Sequence, residues 1–120
     1  MNRSILTVDD SASMRQIIGF CLKQQDYTIL EAENGTEALE KLRKNRVDVM
    51  ITDLDMPEMG GIDLIKNTRR IPGYARMPIL ILTTESAAVM KTKAKSVGAN
   101  GWITKPFTPT QLLAVIEKVL

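Results

Sequence analysis

Apolar positions along this chain fall into two alternating patterns. The first is a short apolar block rich in β-branched residues: Ser4–Val8 (SILTV), Tyr27–Glu31 (YTILE), Val47–Asp53 (VDVMITD), Met77–Thr83 (MPILILT) and Trp102–Lys105 (WITK). These blocks are too short for helices and lack a sustained apolar/polar alternation, so they predict strands buried on both faces. The second pattern is helical. From Ser13 to about Gln25, Met14, Ile17, Ile18, Cys21 and Leu22 recur at helical spacing, with Ser11 or Ser13 available as N-cap. Thr36–Lys44 (Ala38, Leu39 and Leu42 inward), Gly61–Arg70 (Ile62, Leu64 and Ile65 apolar), Ser86–Val97 and Thr110–Leu120 repeat it. Asn34-Gly35 predicts a turn, Pro72-Gly73 ends the third helix, and Gly98 and Gly101 suit a C-cap and a turn.

Strand and helix therefore alternate through the whole chain, which predicts a parallel sheet covered on both faces. Right-handed crossovers put every strand's C-terminal end on one edge. In a doubly wound five-stranded sheet of order 2-1-3-4-5, strands one and three are neighbours at the switch point, where such folds place their chemistry. That edge collects Asp9-Asp10 after strand one, Asp53 after strand three, Thr83 at the end of strand four and Lys105 at the end of strand five. The stretch Val47–Gly61 organises it: a buried strand, then Asp53, then Pro57, which forbids an immediate helix, and Gly60-Gly61 before the next helical pattern. Each residue also has an ordinary structural role open to it. Asp53 can be a solvated loop acid, Asp9-Asp10 can cap the first helix, and Thr83 and Lys105 can be a strand end and a surface lysine.

Length and composition narrow the chemistry. At 120 residues the chain fits one domain, 1–120, and 44% hydrophobic with 25% charged residues is an ordinary globular balance. A net charge of +2 without a basic run gives no reason to expect nucleic acid, and no apolar run approaches a membrane span of about 20 residues. The single cysteine, Cys21, cannot make an internal disulfide and falls in a core pattern, so a soluble, cytoplasmic protein is expected. Histidine is absent, which excludes Ser-His and Cys-His dyads and His metal sites, and there is no Gly-rich phosphate loop. If this chain handles phosphate, it does so with carboxylates, a lysine and a metal ion.

Three carboxylates at one place repel one another and call for a cation. Oxygen ligands without His or Cys suit Mg²⁺, which takes one or two carboxylates, keeps several waters and accepts phosphate oxygens. A carboxylate such as that of Asp53 can accept a phosphoryl group as an aspartyl phosphate. Lys105 would then pair with phosphoryl oxygens, and the Thr83 hydroxyl would gain a hydrogen bond only in the modified state.

Asp9-Asp10-Ser11, Asp53-Leu54-Asp55-Met56-Pro57 with Gly61, Thr83, and Lys105-Pro106-Phe107 resemble the receiver domain of two-component response regulators, over the whole chain. The resemblance implies a flavodoxin-like receiver fold and assigns roles by position. Asp9 and Asp10 would bind Mg²⁺ with Asp53 and the backbone carbonyl of Asp55; Asp53 would be the phosphoacceptor. Thr83 would be the switch hydroxyl, Lys105 the phosphoryl-contacting lysine, and Lys105-Pro106 a cis peptide. Ser11-Ala-Ser-Met-Arg15 and Gly101-Trp-Ile-Thr-Lys-Pro-Phe107 are similar to single-domain chemotaxis regulators of the CheY type. No sequence follows the fifth helix, so no output domain is expected. The implied partners are a histidine kinase, the flagellar motor switch and optionally a phosphatase, with a phosphorelay intermediate or another single-domain response regulator as the alternative; the protein would be a monomer. It would not be an enzyme beyond catalysing its own phosphorylation and dephosphorylation.

The family's switch aromatic is commonly Tyr or Phe, and here Trp102 takes the position, with a bulkier ring to rotate. Asp55 and Glu85 match positions at which the family tunes its dephosphorylation, and two acids there would lengthen the phosphorylated state. The output surface would be the fourth helix, fifth strand and fifth helix, where Lys91 and Lys95 share a helix face with Trp102 nearby. A solvated face is the plain alternative for those lysines. A haloacid-dehalogenase phosphatase shares a strand followed by Asp-x-Asp, but Pro57 stands where that motif expects Thr. An FMN binder would be repelled by a first loop beginning with two acids.

Overall fold

The computed structural model describes residues 3–120. Among these, five strands and five helices alternate: β1 (Ser4–Val8), α1 (Ala12–Lys23), β2 (Thr28–Ala32), α2 (Gly35–Lys44), β3 (Val49–Thr52), α3 (Gly61–Arg69), β4 (Ile79–Thr83), α4 (Ala88–Ser96), β5 (Gly101–Thr104) and α5 (Pro109–Val119). The strands form one parallel sheet in the order β2-β1-β3-β4-β5. This is the doubly wound, flavodoxin-like arrangement that the alternation predicts.

Successive strand residues point to opposite faces, and both faces are dry. Leu6, Met50, Ile79 and Ile81 pack under α2, α3 and α4 with Leu39, Leu42, Leu64 and Ala94. Ile5, Val49, Ile51, Leu80 and Leu82 pack under α1 and α5 with Ile18, Leu22, Leu112 and Ile116. Cys21 lies in this second layer, and burial pushes its thiol pKa up. Among the described residues no helix is long and apolar enough to cross a membrane.

Caps follow the local chemistry. The Ser11 side chain accepts from the Met14 N–H, which settles the choice between Ser11 and Ser13, and Asn34 caps α2 through the Glu37 N–H. Asn34-Gly35 is thus a helix start rather than a separate turn. Thr108 and Gln111 form a capping box on α5. α4 begins at Ala87 without a side-chain cap and buries only Ala94.

The sheet's N-terminal edge is stitched by polar side chains. The Arg69 guanidinium donates to the carbonyls of Tyr74 (2.9 Å), Met77 (2.6 Å) and Gly98 (2.5 Å) and to Asn100 Oδ1 (3.1 Å). The Tyr74 hydroxyl donates to the Asn45 carbonyl and accepts from the Val47 N–H. Gly98 has φ +115°, and a Cβ there would meet Arg69 Nε at 2.7 Å, so conformation and space both require glycine. Two strand edges differ from expectation for this reason: Val47 and Met77 belong to these stitched loops, and pairing begins at Val49 and Ile79. Gly101 is not a turn residue; it opens β5, where a Cβ would press on Leu80.

Candidate functional site

Register builds the opposite edge. Val8 pairs with Thr52, and the Asp53 N–H donates to the Val8 carbonyl at 3.0 Å, so the chain leaves β1 and β3 side by side. Asp9 and Asp53 follow those strands directly. Thr83 pairs with Thr104, and the Lys105 N–H donates to the Thr83 carbonyl at 2.8 Å. Carboxylate oxygens of Asp9, Asp10 and Asp53 all lie within 4.8 Å of one another.

Lys105 reaches across the sheet into this group. Its Nζ donates to Asp9 Oδ2 at 2.9 Å and to Asp53 Oδ2 at 3.2 Å. Burial pulls its pKa down, but the hydrogen bonds and charges of Asp9 and Asp53 outweigh it and hold the ammonium above the usual lysine value. The remaining oxygens are also engaged: Asp9 Oδ1 accepts from the Ser11 N–H at 3.0 Å, and Asp53 Oδ1 accepts from the Leu54 N–H at 2.7 Å. Asp9 is buried, Asp53 half-buried and Asp10 exposed. Hard carboxylate donors this close, with one ammonium for three acids, fit a divalent cation of the Mg²⁺ type.

The loop behind Asp53 is tightly folded. A Cβ on Gly61 would lie 2.4 Å from the Asp53 carbonyl oxygen, so only glycine lets α3 start against the acid's backbone. Asp55 is exposed, its N–H 3.4 Å from Asp53 Oδ1. Thr83 is buried at the end of β4, and its hydroxyl accepts from the Glu85 N–H at 3.3 Å. The Glu85 carboxylate accepts from the Ser86 and Ala87 N–H groups, which ties it to the start of α4. The Lys105–Pro106 peptide is cis.

Trp102, Lys91 and Lys95 stand together elsewhere, lining a cleft of about 260 Å³ between α4 and β5. Lys91 Nζ lies 5.8 Å from the Trp102 ring centroid. Among the described residues the indole N–H of half-buried Trp102 has no acceptor.

One residue at the acidic edge carried no assigned role in the sequence. Arg15, from the first turn of α1, donates through Nη1 to the Asp9 carbonyl at 2.5 Å and through Nε to Glu31 at 3.0 Å. An arginine one turn into the helix that follows two acids is the signal that marks it.

Residues 5–117 match the family model for the response regulator receiver domain. The chain is 45% identical over 118 residues to the chemotaxis protein CheY1 of Helicobacter pylori, covering 97% of this chain and 95% of that protein. It is 38% identical over 119 residues to the chemotaxis protein CheY-3 of Vibrio cholerae, covering 98% and 92%. The solved structure of Vibrio cholerae chemotaxis protein CheY4 superposes with a TM-score of 0.96 at 42% identity, over 100% of both chains. With its acids, lysine and threonine on one edge of this sheet, the chain belongs to the response-regulator receiver family, in its CheY-like branch.

Proposed function

We propose that this protein is a phosphorylation-switched chemotaxis regulator, with Asp53 as phosphoacceptor. The observation that carries the reading is the cluster of Asp9, Asp10 and Asp53 at the sheet's switch point, with the Lys105 ammonium paired to Asp9 and Asp53. A carboxylate oxygen of Asp53 attacks the phosphorus of a kinase phosphohistidine, the P–N bond breaks, and its electron pair leaves with the imidazole. Asp9, Asp10, Asp53 and the Asp55 carbonyl would hold Mg²⁺, which supplies positive charge to the transferring group. Lys105 holds its proton throughout and pairs with the incoming oxygens, while the N–H groups of Leu54 and Asp55 steady the acceptor.

Thr83 is the switch residue in this reading. Its hydroxyl exchanges the 3.3 Å contact with the Glu85 N–H for a phosphoryl oxygen, which loosens the loop leading to α4. α4 is suited to respond because it buries one residue and lacks a side-chain cap. Trp102 and the basic face of Lys91 and Lys95 then present the cleft to a downstream partner, the flagellar motor switch. Association with an acidic segment there is faster at low salt.

Intact mass after incubation with acetyl phosphate, with and without Mg²⁺, tests the reading. One metal-dependent phosphoryl adduct is expected on the parent and none on Asp53→Asn. No adduct, or multiple turnover on phosphomonoesters, would overturn it.

A further inference from the structure

We propose that Arg15 is a positioning residue for the divalent cation, fixing the peptide plane between Asp9 and Asp10; this rests on the receiver reading above. Every polar atom of Asp9 has a partner. Its N–H donates to the Ala32 carbonyl at 3.1 Å, its carboxylate meets the Ser11 N–H and Lys105, and its carbonyl receives Arg15 Nη1 at 2.5 Å. That carbonyl belongs to the peptide joining the two acids, so its direction sets where the Asp10 side chain departs. Asp10 is exposed, and the peptide plane is what aims it.

Arg15 is itself held. Its side chain is 15% exposed, and Glu31, in β2, takes Nε at 3.0 Å. The guanidinium thus spans from the end of β2 to the β1–α1 connection, a fork whose two bonds need its planar geometry. A lysine can reach one of those partners but not both.

Charge and geometry make opposite predictions, which gives the test its force. If Arg15 acted only as a nearby positive charge, removing it would deepen the negative field and tighten cation binding. If it acts by orientation, removing it weakens binding, by about tenfold on the scale of supporting residues around metal ligands. The experiment is isothermal titration of the unphosphorylated protein with Mg²⁺, without phosphodonor, at low and high salt, alongside urea midpoints. Arg15→Ala is expected to bind about tenfold more weakly, with the loss persisting at high salt. Arg15→Lys should recover part of the affinity. Glu31→Gln, which keeps the arginine but frees one end of its fork, should show a smaller loss and serves if Arg15→Ala does not fold. Unchanged or tighter binding in folded Arg15→Ala, or in Arg15→Lys and Glu31→Gln together, would overturn the inference. A parent that binds no Mg²⁺ would instead remove the receiver reading, and this inference with it.

Discussion

At the carboxyl edge of the sheet three acids cluster and two of them hold one ammonium; at the amino edge one guanidinium stands among carbonyls. Both are polar groups gathered at strand ends, but they are balanced differently. Arg69 has four acceptors within hydrogen-bond distance from two connecting segments, and burial lowers its pKa with no carboxylate among those acceptors to offset the cost. It joins the loops before β4 and β5 to the end of α3. The acids instead outnumber their protein counter-charge, Lys105, an imbalance that a cation and a phosphoryl group would use in the proposed reading. One edge is satisfied by its own chain. The other, in the proposed reading, is completed by a bound cation.

The contrast predicts that function and stability separate between the edges. The largest effect is on Asp53→Asn: complete loss of the phosphoryl adduct by mass, with a thermal midpoint near that of the parent because one repulsion and one attraction disappear together. Arg69→Ala should do the reverse. It strands carbonyls in partly buried loops and should cost about 3 kcal/mol in urea unfolding, while the adduct still forms on the folded fraction. Unaltered stability in that variant would break the comparison.

Lys105→Met sharpens it from the other side. With their ammonium gone, Asp9 and Asp53 repel, and metal-free stability should fall by about 2 kcal/mol. Mg²⁺ should then raise the thermal midpoint more than it does in the parent; an equal rise would mean that the lysine does not share the cation's work. Tyr74→Phe, at the stitched edge, removes the bonds to Asn45 and Val47 and should cost about 1 kcal/mol with phosphorylation untouched. The smallest effects concern lifetime. Asp55 is exposed whereas Glu85 is tied to the start of α4, so Asp55→Asn should shorten the aspartyl phosphate more than Glu85→Gln. Equal decay of the two variants would put the control elsewhere.

The acid edge is legible in the sequence because strand ends are punctuated there. Apolar blocks stop at Asp9, Asp53, Thr83 and Lys105, and parallel topology does the rest. The stitched edge is not legible, because Arg69 works largely through backbone carbonyls, which look alike at every position of a sequence; the bond from Arg15 to the Asp9 carbonyl is hidden in the acid edge in the same way. Val47 and Met77 carry strand-like side chains but sit in loops held by Tyr74 and Arg69, so composition overstates both strands at their N-terminal ends. Gly101 reads as punctuation although its smallness serves close packing against Leu80. The indole N–H of Trp102, without an acceptor among the described residues, has no signature short of coordinates.

The two dry faces of the sheet have a consequence for how substitutions combine. Met50 and Ile51 are consecutive in β3, yet Met50 belongs with Ile79 under α2 and α3, and Ile51 with Leu80 under α1 and α5. Chain neighbours here are energetic strangers, while residues a strand apart are kin. Trimming Met50 and Ile51 together should therefore cost close to the sum of the two single losses, and trimming Ile51 with Leu80 should not. The layer under α2, α3 and α4 can change its packing without the layer under α1 and α5 being repacked to match.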